Sequence, residues 1–216
     1  MPSAFNPPRG RMQREDHARQ AILDITKAIA KLNALELDLI AEVIASILIE
    51  QKKVMILGNG GSCATASHFA ADLTLMARAA RLRVSIAALH ESSSLMSAMT
   101  NDYGFAESGA ALVETSGSSG DLLVIFSCSG SSANLVKAAH AAARLGVLTI
   151  LIGSRLAPSD FPASQRIVVE TENYSVIEAT HSTIAHIIVD LLRIRFGVQS
   201  PRHPRLASYA MATNED

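Results

Sequence analysis

Apolar residues recur at helical spacing from Asp16 onward. Ala18, Ile22, Ile25, Ile29 and Leu32 alternate steps of four and three, which predicts an amphipathic helix. A second helix is predicted over about 35–51, where Leu39, Ile40, Val43, Ile44, Ile47 and Leu48 form a broad apolar face. Two such faces ahead of a sheet must be buried, on the core or on a partner subunit. The pattern then changes to short apolar runs, at 54–57, 84–88, 122–126, 147–152 and 167–170. Runs of this length, flanked by glycines and polar residues, read as strands buried on both faces. Helical stretches are predicted between them near 63–79, 92–100, 106–116 and 132–145, with a long last helix over about 174–196. Strands alternating with helices predict parallel βαβ units. The fold class is therefore α/β, a three-layer α-β-α sandwich on a five-stranded parallel sheet, preceded by two helices. Residues 1–14, with three prolines and three arginines, are expected to form a loose arm, and 198–216 a polar tail.

Composition narrows the function classes. The chain has 216 residues, 49% of them apolar, enough for one domain with a sizeable core. A formal net charge of -1 and the lack of a basic face argue against nucleic acid as a partner. The N-terminal segment has no apolar core of a signal peptide, and no apolar run is long enough for a membrane span. Two cysteines, Cys63 and Cys128, are too few for a disulfide framework and read as reduced thiols in a cytoplasmic protein.

In open parallel sheets, ligands bind beyond the carboxyl ends of the strands. Two loops there carry candidate chemistry. After the first strand comes Gly58-Asn59-Gly60-Gly61-Ser62, running into a helix. Its glycines allow close backbone approach, and the helix start supplies unpaired N–H groups and partial positive charge, which suits an anion. It is neither a dinucleotide fingerprint nor a Walker A loop, since it has no lysine, and a tight turn with a serine cap would look the same. After the third strand comes Ser127-Cys128-Ser129-Gly130-Ser131-Ser132-Ala133-Asn134. A cap needs one hydroxyl and this loop offers four, which favours a phosphate cradle built of hydroxyls and backbone N–H groups.

These two loops, together with Asn101-Asp102-Tyr103-Gly104-Phe105, resemble the sugar isomerase (SIS) domain. Within it they look most like the sedoheptulose 7-phosphate isomerases, also called phosphoheptose isomerases. The resemblance spans about residues 15–197, the two leading helices included. It implies a homotetramer with active sites at subunit contacts. It also implies interconversion of sedoheptulose 7-phosphate and D-glycero-D-manno-heptose 7-phosphate, feeding heptose into surface polysaccharide. Ser127, Ser129 and Ser132 match phosphate-binding serines, and Asn59, Ser62 and Asp102 match positions that contact the sugar. Gly60 and Cys128 complete the implied substrate-binding set. Cys128 stands where the family usually has Thr, and a thiol is the weaker donor.

An aldose–ketose isomerase moves a proton between C1 and C2 through an enediol, so it needs a base, an acid and a means to stabilise the enediolate. The family's helical His-x-x-x-Glu corresponds here to His68 and Asp72, which share a helix face, although such a pair is also common on ordinary helix surfaces. The Gln and His of its last helix correspond to Glu178 and His186. The resemblance implies Asp72, His186 and Glu178 as catalytic residues. In some members a Zn²⁺ is bound by the residues matching His68, Asp72, Glu178 and His186, a chemically acceptable ligand set. Eight helical residues rise roughly 12 Å, so Glu178 and His186 reach one ion only if the helix start is distorted or two subunits contribute. His186, among Ile184, Ile187 and Ile188, is expected to be partly buried. Three departures stand out: Asp72 for Glu, Glu178 for Gln, and Ser175 where the family tends to have Asp. Glu178 is accordingly expected to take over part of the base or ligand role. Two alternatives remain: an isomerase of another phosphosugar, and a non-catalytic regulator of the kind that binds the bacterial replication initiator.

Overall fold

The structure, a computed structural model, describes residues 11–199. Two helices lead: α1 (Arg11–Ala30) and α2 (Ala34–Ile49). α1 begins a full turn ahead of Asp16, because Arg11, Met12, Gln13 and Arg14 are all good helix formers. The rest of the expected arm, residues 1–10, and the tail from 200 lie outside the described residues. Asn33 caps α2 by accepting from the Leu35 N–H at 3.0 Å.

The βα units follow as β1 (Lys53–Gly58), α3 (Gly61–Ala79), β2 (Ser85–Ala88), α4 (Ser93–Tyr103), α5 (Phe105–Ser116), β3 (Leu122–Phe126), α6 (Ala133–Leu145), β4 (Leu148–Ser154), β5 (Gln165–Val169) and α7 (Tyr174–Arg195). All four strand pairings are parallel, in the order β2-β1-β3-β4-β5. The chain reverses direction across the sheet between β1 and β3, and the crevice outside such a switch point is where doubly wound sheets take their ligands.

Alternate strand residues build two cores. Val54, Ile56, Leu122, Val124, Phe126, Ile150 and Ile152 pack against the layer of α2, α3 and α7. Met55, Leu57, Leu123, Ile125 and Leu151 pack against α5 and α6. The result is the three-layer α-β-α sandwich. The face of α2 is largely buried, through Leu37, Ile40, Ala41, Ile44, Ile47 and Leu48, while Ile22, Leu23, Leu35 and Leu39 stay exposed. No described helix is long and apolar enough to cross a membrane.

Candidate active site

The glycine loop after β1 and the serine loop after β3 meet at the switch point, because β1 and β3 are hydrogen-bonded neighbours with Gly58 opposite Phe126. They enclose a cavity of about 130 Å³ lined by Asn59, Ser62, Ser127, Cys128, Ser129, Ser132, Tyr174 and Glu178, among others. Ser127 Oγ accepts from the Gly130 N–H at 3.0 Å, and Ser129 Oγ from the Ser131 N–H at 3.2 Å. Both hydroxyls thus hold the loop's shape and keep their own O–H to donate. Ser132 caps α6 by position but its side chain makes no capping bond, so its hydroxyl is available to a ligand. Below the loop, Ser154 Oγ donates to the Cys128 carbonyl at 2.6 Å. Gly130 sits at φ +60°, and a Cβ there would lie 2.5 Å from that of Ala157. The β4–β5 connection therefore buttresses the cradle. Its Arg155 turns away, pairing with Glu172 on the surface.

Cys128 is buried, and burial, with the Glu178 carboxylate, pushes its thiol upward, against a smaller opposing contribution from the Ser62 hydroxyl. It stays a protonated, weakly donating thiol. Glu178 closes the cavity from α7. Its carboxylate lies against Gly61 at the first turn of α3, where a Cβ would meet Oε1 at 2.5 Å. Gly60, the N-cap of α3, has no side-chain cap, so a carboxylate here answers the helix's partial positive charge.

The residues expected to do acid–base work sit elsewhere. His68 and Asp72 on α3 meet His186 on α7: Asp72 Oδ2 is 3.5 Å from His68 Nε2 and 3.3 Å from His186 Nδ1. The two imidazoles lie edge to face, with centroids 4.9 Å apart. Asp72 reaches both rings despite its shorter side chain. One ligand atom from each of the three falls within 4.8 Å of the others, and two imidazoles with one carboxylate suit a Zn²⁺ that keeps an open position. Glu178 is outside this group within one chain, and the distorted helix start that would bring it to the same ion is not present. α7 is regular from Tyr174, so Glu178 lies two turns, roughly 12 Å, up the helix from His186.

Two further expectations change. His186 is not partly buried; its side chain is 54% exposed. The buried histidine of α7 is His181, 0% exposed, with its Nε2 3.1 Å from the Gly153 carbonyl, an N–H donating to it. The His181 Nδ1 has no partner, and burial pulls the ring's pKa from 6.5 to about 4. Asp102 does not join the cavity: it is exposed on α4, accepting from Asn101 Nδ2 at 2.9 Å. His90 and Tyr174, which belong to none of the sequence motifs, also reach the cavities at the switch point. His90 lies beside the glycine loop with Nε2 3.1 Å from the Cys63 carbonyl, and burial lowers its pKa. A larger cavity of about 590 Å³ between α5 and α6 is edged by the ion pairs Glu107–Lys137 and Glu114–Arg144, which satisfy one another.

A parallel 2-1-3-4-5 sheet with a glycine loop and a cation-free serine loop at its switch point describes a doubly wound α/β domain with a candidate anion cradle between the two loops. A family model described as SIS domain matches residues 19–154, more than half of the chain. A phosphoheptose isomerase from Thermodesulfovibrio yellowstonii is 32% identical over 185 residues, covering 84% of this chain and 92% of the relative. The solved phosphoheptose isomerase from Neisseria gonorrhoeae superposes with a TM-score of 0.73 at 28% identity, over 85% of this chain and 98% of its own. The one from Francisella tularensis gives 0.75 at 22% identity, over 86% and 100%, and so speaks for the fold. The chain belongs to the SIS-domain family and, within it, to the phosphoheptose isomerases.

Proposed function

We propose that this chain is an aldose–ketose isomerase that converts sedoheptulose 7-phosphate to D-glycero-D-manno-heptose 7-phosphate. The observation that carries the reading is Asp72, a carboxylate held between two imidazoles on a surface that can be covered. Its Oδ2 faces both rings, which leaves Oδ1 to take the C1 proton of the ketose. The electron pair of the broken C–H bond forms the C1–C2 double bond of an enediolate. His186 carries the hydroxyl proton from O1 to O2, and Asp72, once its proton has exchanged with solvent, delivers a proton to C2, so the aldose forms without net gain or loss of protons. Ser127, Ser129, Ser132 and the α6 N-terminus hold the phosphate, and Asn59, Gly60 and Ser62 the sugar hydroxyls. His68, Asp72 and His186 are the side chains that would hold Zn²⁺, and the bound ion would polarise the carbonyl and stabilise the enediolate oxygen.

The phosphate cradle and the acid–base group are two helical turns apart on one chain, and the latter lies on the outer side of the α3/α7 layer. This supports an active site assembled between copies, with Glu178 and Asp102 meeting the substrate or the ion across the contact. The exposed Ile22, Leu23, Leu35 and Leu39 support burial of α1 and α2 in a homotetramer. The same reading places the enzyme in the cytoplasm, with Cys63 and Cys128 reduced.

The test is incubation of the purified protein with sedoheptulose 7-phosphate, with and without Zn²⁺, following aldose formation by NMR. Turnover is expected, and Asp72→Ala is expected to lower it at least about a hundredfold. A wild type that binds the phosphosugar without turning it over would leave the non-catalytic regulator or another phosphosugar as the better reading.

A further inference from the structure

The glycine and serine loops are tied together by a pair of side-chain amides. Asn59 Nδ2 donates to Asn134 Oδ1 at 2.9 Å, and Asn134 Nδ2 donates back to Asn59 Oδ1 at 2.9 Å. Asn59 follows β1 and Asn134 lies in the first turn of α6 after β3, so the pair spans the mouth of the switch point. Each amide uses one donor and one acceptor in the pair and retains one of each. Neither can turn over alone without setting two donors and two acceptors against each other.

The two residues differ in what else they meet. Asn59 is half-buried and lines the serine-loop cavity. Asn134 is only 4% exposed and does not line it. A second cavity of about 230 Å³ behind the pair, lined by Met96, Phe105 and Leu112, touches both. The main chain of Asn134 has no slack, since α5 presses Gly109 against its carbonyl oxygen. A buried amide fixed at its backbone and bonded twice to a single half-exposed amide can set that amide's place and do little else.

We propose that Asn134 is the positioning residue for Asn59: it holds the Asn59 amide in register with the phosphate cradle, so that sugar and phosphate are engaged together. The proposal rests on the isomerase reading, in which Asn59 contacts the sugar. Although Asn134 follows Ser132 closely in the chain, its side chain bonds to Asn59 and does not line the cradle cavity, so it acts on the sugar end of the ligand.

The test is a double-mutant cycle of Asn59→Ala and Asn134→Ala, read as affinity for sedoheptulose 7-phosphate and for inorganic phosphate, with the melting temperature of each variant. Asn134→Asp keeps the shape, removes both N–H donors and adds a negative charge, and it carries the cycle if the Ala variant does not fold. Asn134 variants are expected to bind the sugar phosphate about tenfold more weakly and to bind inorganic phosphate within about twofold of wild type. In the Asn59→Ala background, the change at Asn134 is expected to cost less than about twofold further, as for two residues acting as a unit. Loss of affinity for both ligands alike, a full multiplicative effect on top of Asn59→Ala, or an Asn134→Asp variant that binds as the wild type does would overturn the proposal alone. Failure of the wild type to bind the sugar phosphate, or an Asn59→Ala variant that binds it normally, would overturn the site reading and this proposal with it.

Discussion

Two histidines of α7, five residues apart, have opposite fates because five helical steps turn about 140°. His186 looks outward to Asp72, and His181 looks inward to the Phe126 ring and the Gly153 carbonyl. A protonated His181 would need a partner for Nδ1, and that atom has none. Burial pulls its pKa to about 4 in the folded chain, against the smaller opposing effect of the Gly153 carbonyl, while the unfolded chain takes the proton at the ordinary 6.5. Since the folded value is the lower one, the contribution to stability is complete above pH 6.5 and is lost as the pH falls toward 4. Over the whole window this amounts to roughly 3 kcal/mol. Urea unfolding between pH 7.5 and 4.5 is expected to show that decline in the wild type and a flatter profile in His181→Gln, whose amide still donates to Gly153. Equal slopes in the two proteins would contradict this account. The apolar residues of α7 predict one buried histidine, expected at His186, and the structure buries His181 in its place. At about 100° per residue, Ile184, Ile187 and Ile188 fall on one face of α7, with His186 on the opposite side and His181 beside them, so the helical period points to His181 where adjacency in sequence points to His186.

At the scale of elements, the strands and helices were legible to within a few residues. The strands of β3 and β4 are apolar on both faces and had no other place than the centre of a sheet. The sheet order was not legible, because it is fixed by contacts between segments dozens of residues apart. The two loops at the switch point were found by their serine and glycine content, and their supports were not. Gly130→Ala places a side chain in the left-handed region and against Ala157, backbone atoms included. It is expected to lower stability by about 1–2 kcal/mol or more, measured by denaturant unfolding, and to loosen the phosphate cradle. Gly61→Ala meets only the end of the Glu178 side chain, which can swing away. Its stability is expected to change by less than about 1 kcal/mol, while sugar-phosphate affinity changes because the carboxylate has moved. A large loss of stability in Gly61→Ala with unaltered binding would show that Glu178 is a structural cap and has no part in the site.

For the whole molecule, the important fact is the separation of the phosphate cradle from His68, Asp72 and His186. The residues of both groups were named from the sequence by resemblance, and helix geometry already set Glu178 and His186 too far apart for one ion on a regular helix. What the sequence lacked was the direction of α3 and α7, which leads the acid–base group away from the crevice and onto the outside. Sites shared between copies predict complementation. Asp72→Ala and a Ser127→Ala/Ser129→Ala variant, each inactive alone, are expected to regain a measurable fraction of activity when unfolded and refolded together. Mixtures that stay inactive, although light scattering shows mixed oligomers, would place cradle and base in one subunit.

The central claim is that Asp72 moves a carbon-bound proton of a heptose 7-phosphate through an enediolate. Its most direct test is NMR of sedoheptulose 7-phosphate incubated with the enzyme in D₂O. The account predicts an aldose carrying deuterium at C2, formed by the wild type, with both deuterium incorporation and turnover lost in Asp72→Ala at an unchanged melting temperature. An Asp72→Ala enzyme that still forms deuterated aldose at the wild-type rate would contradict it.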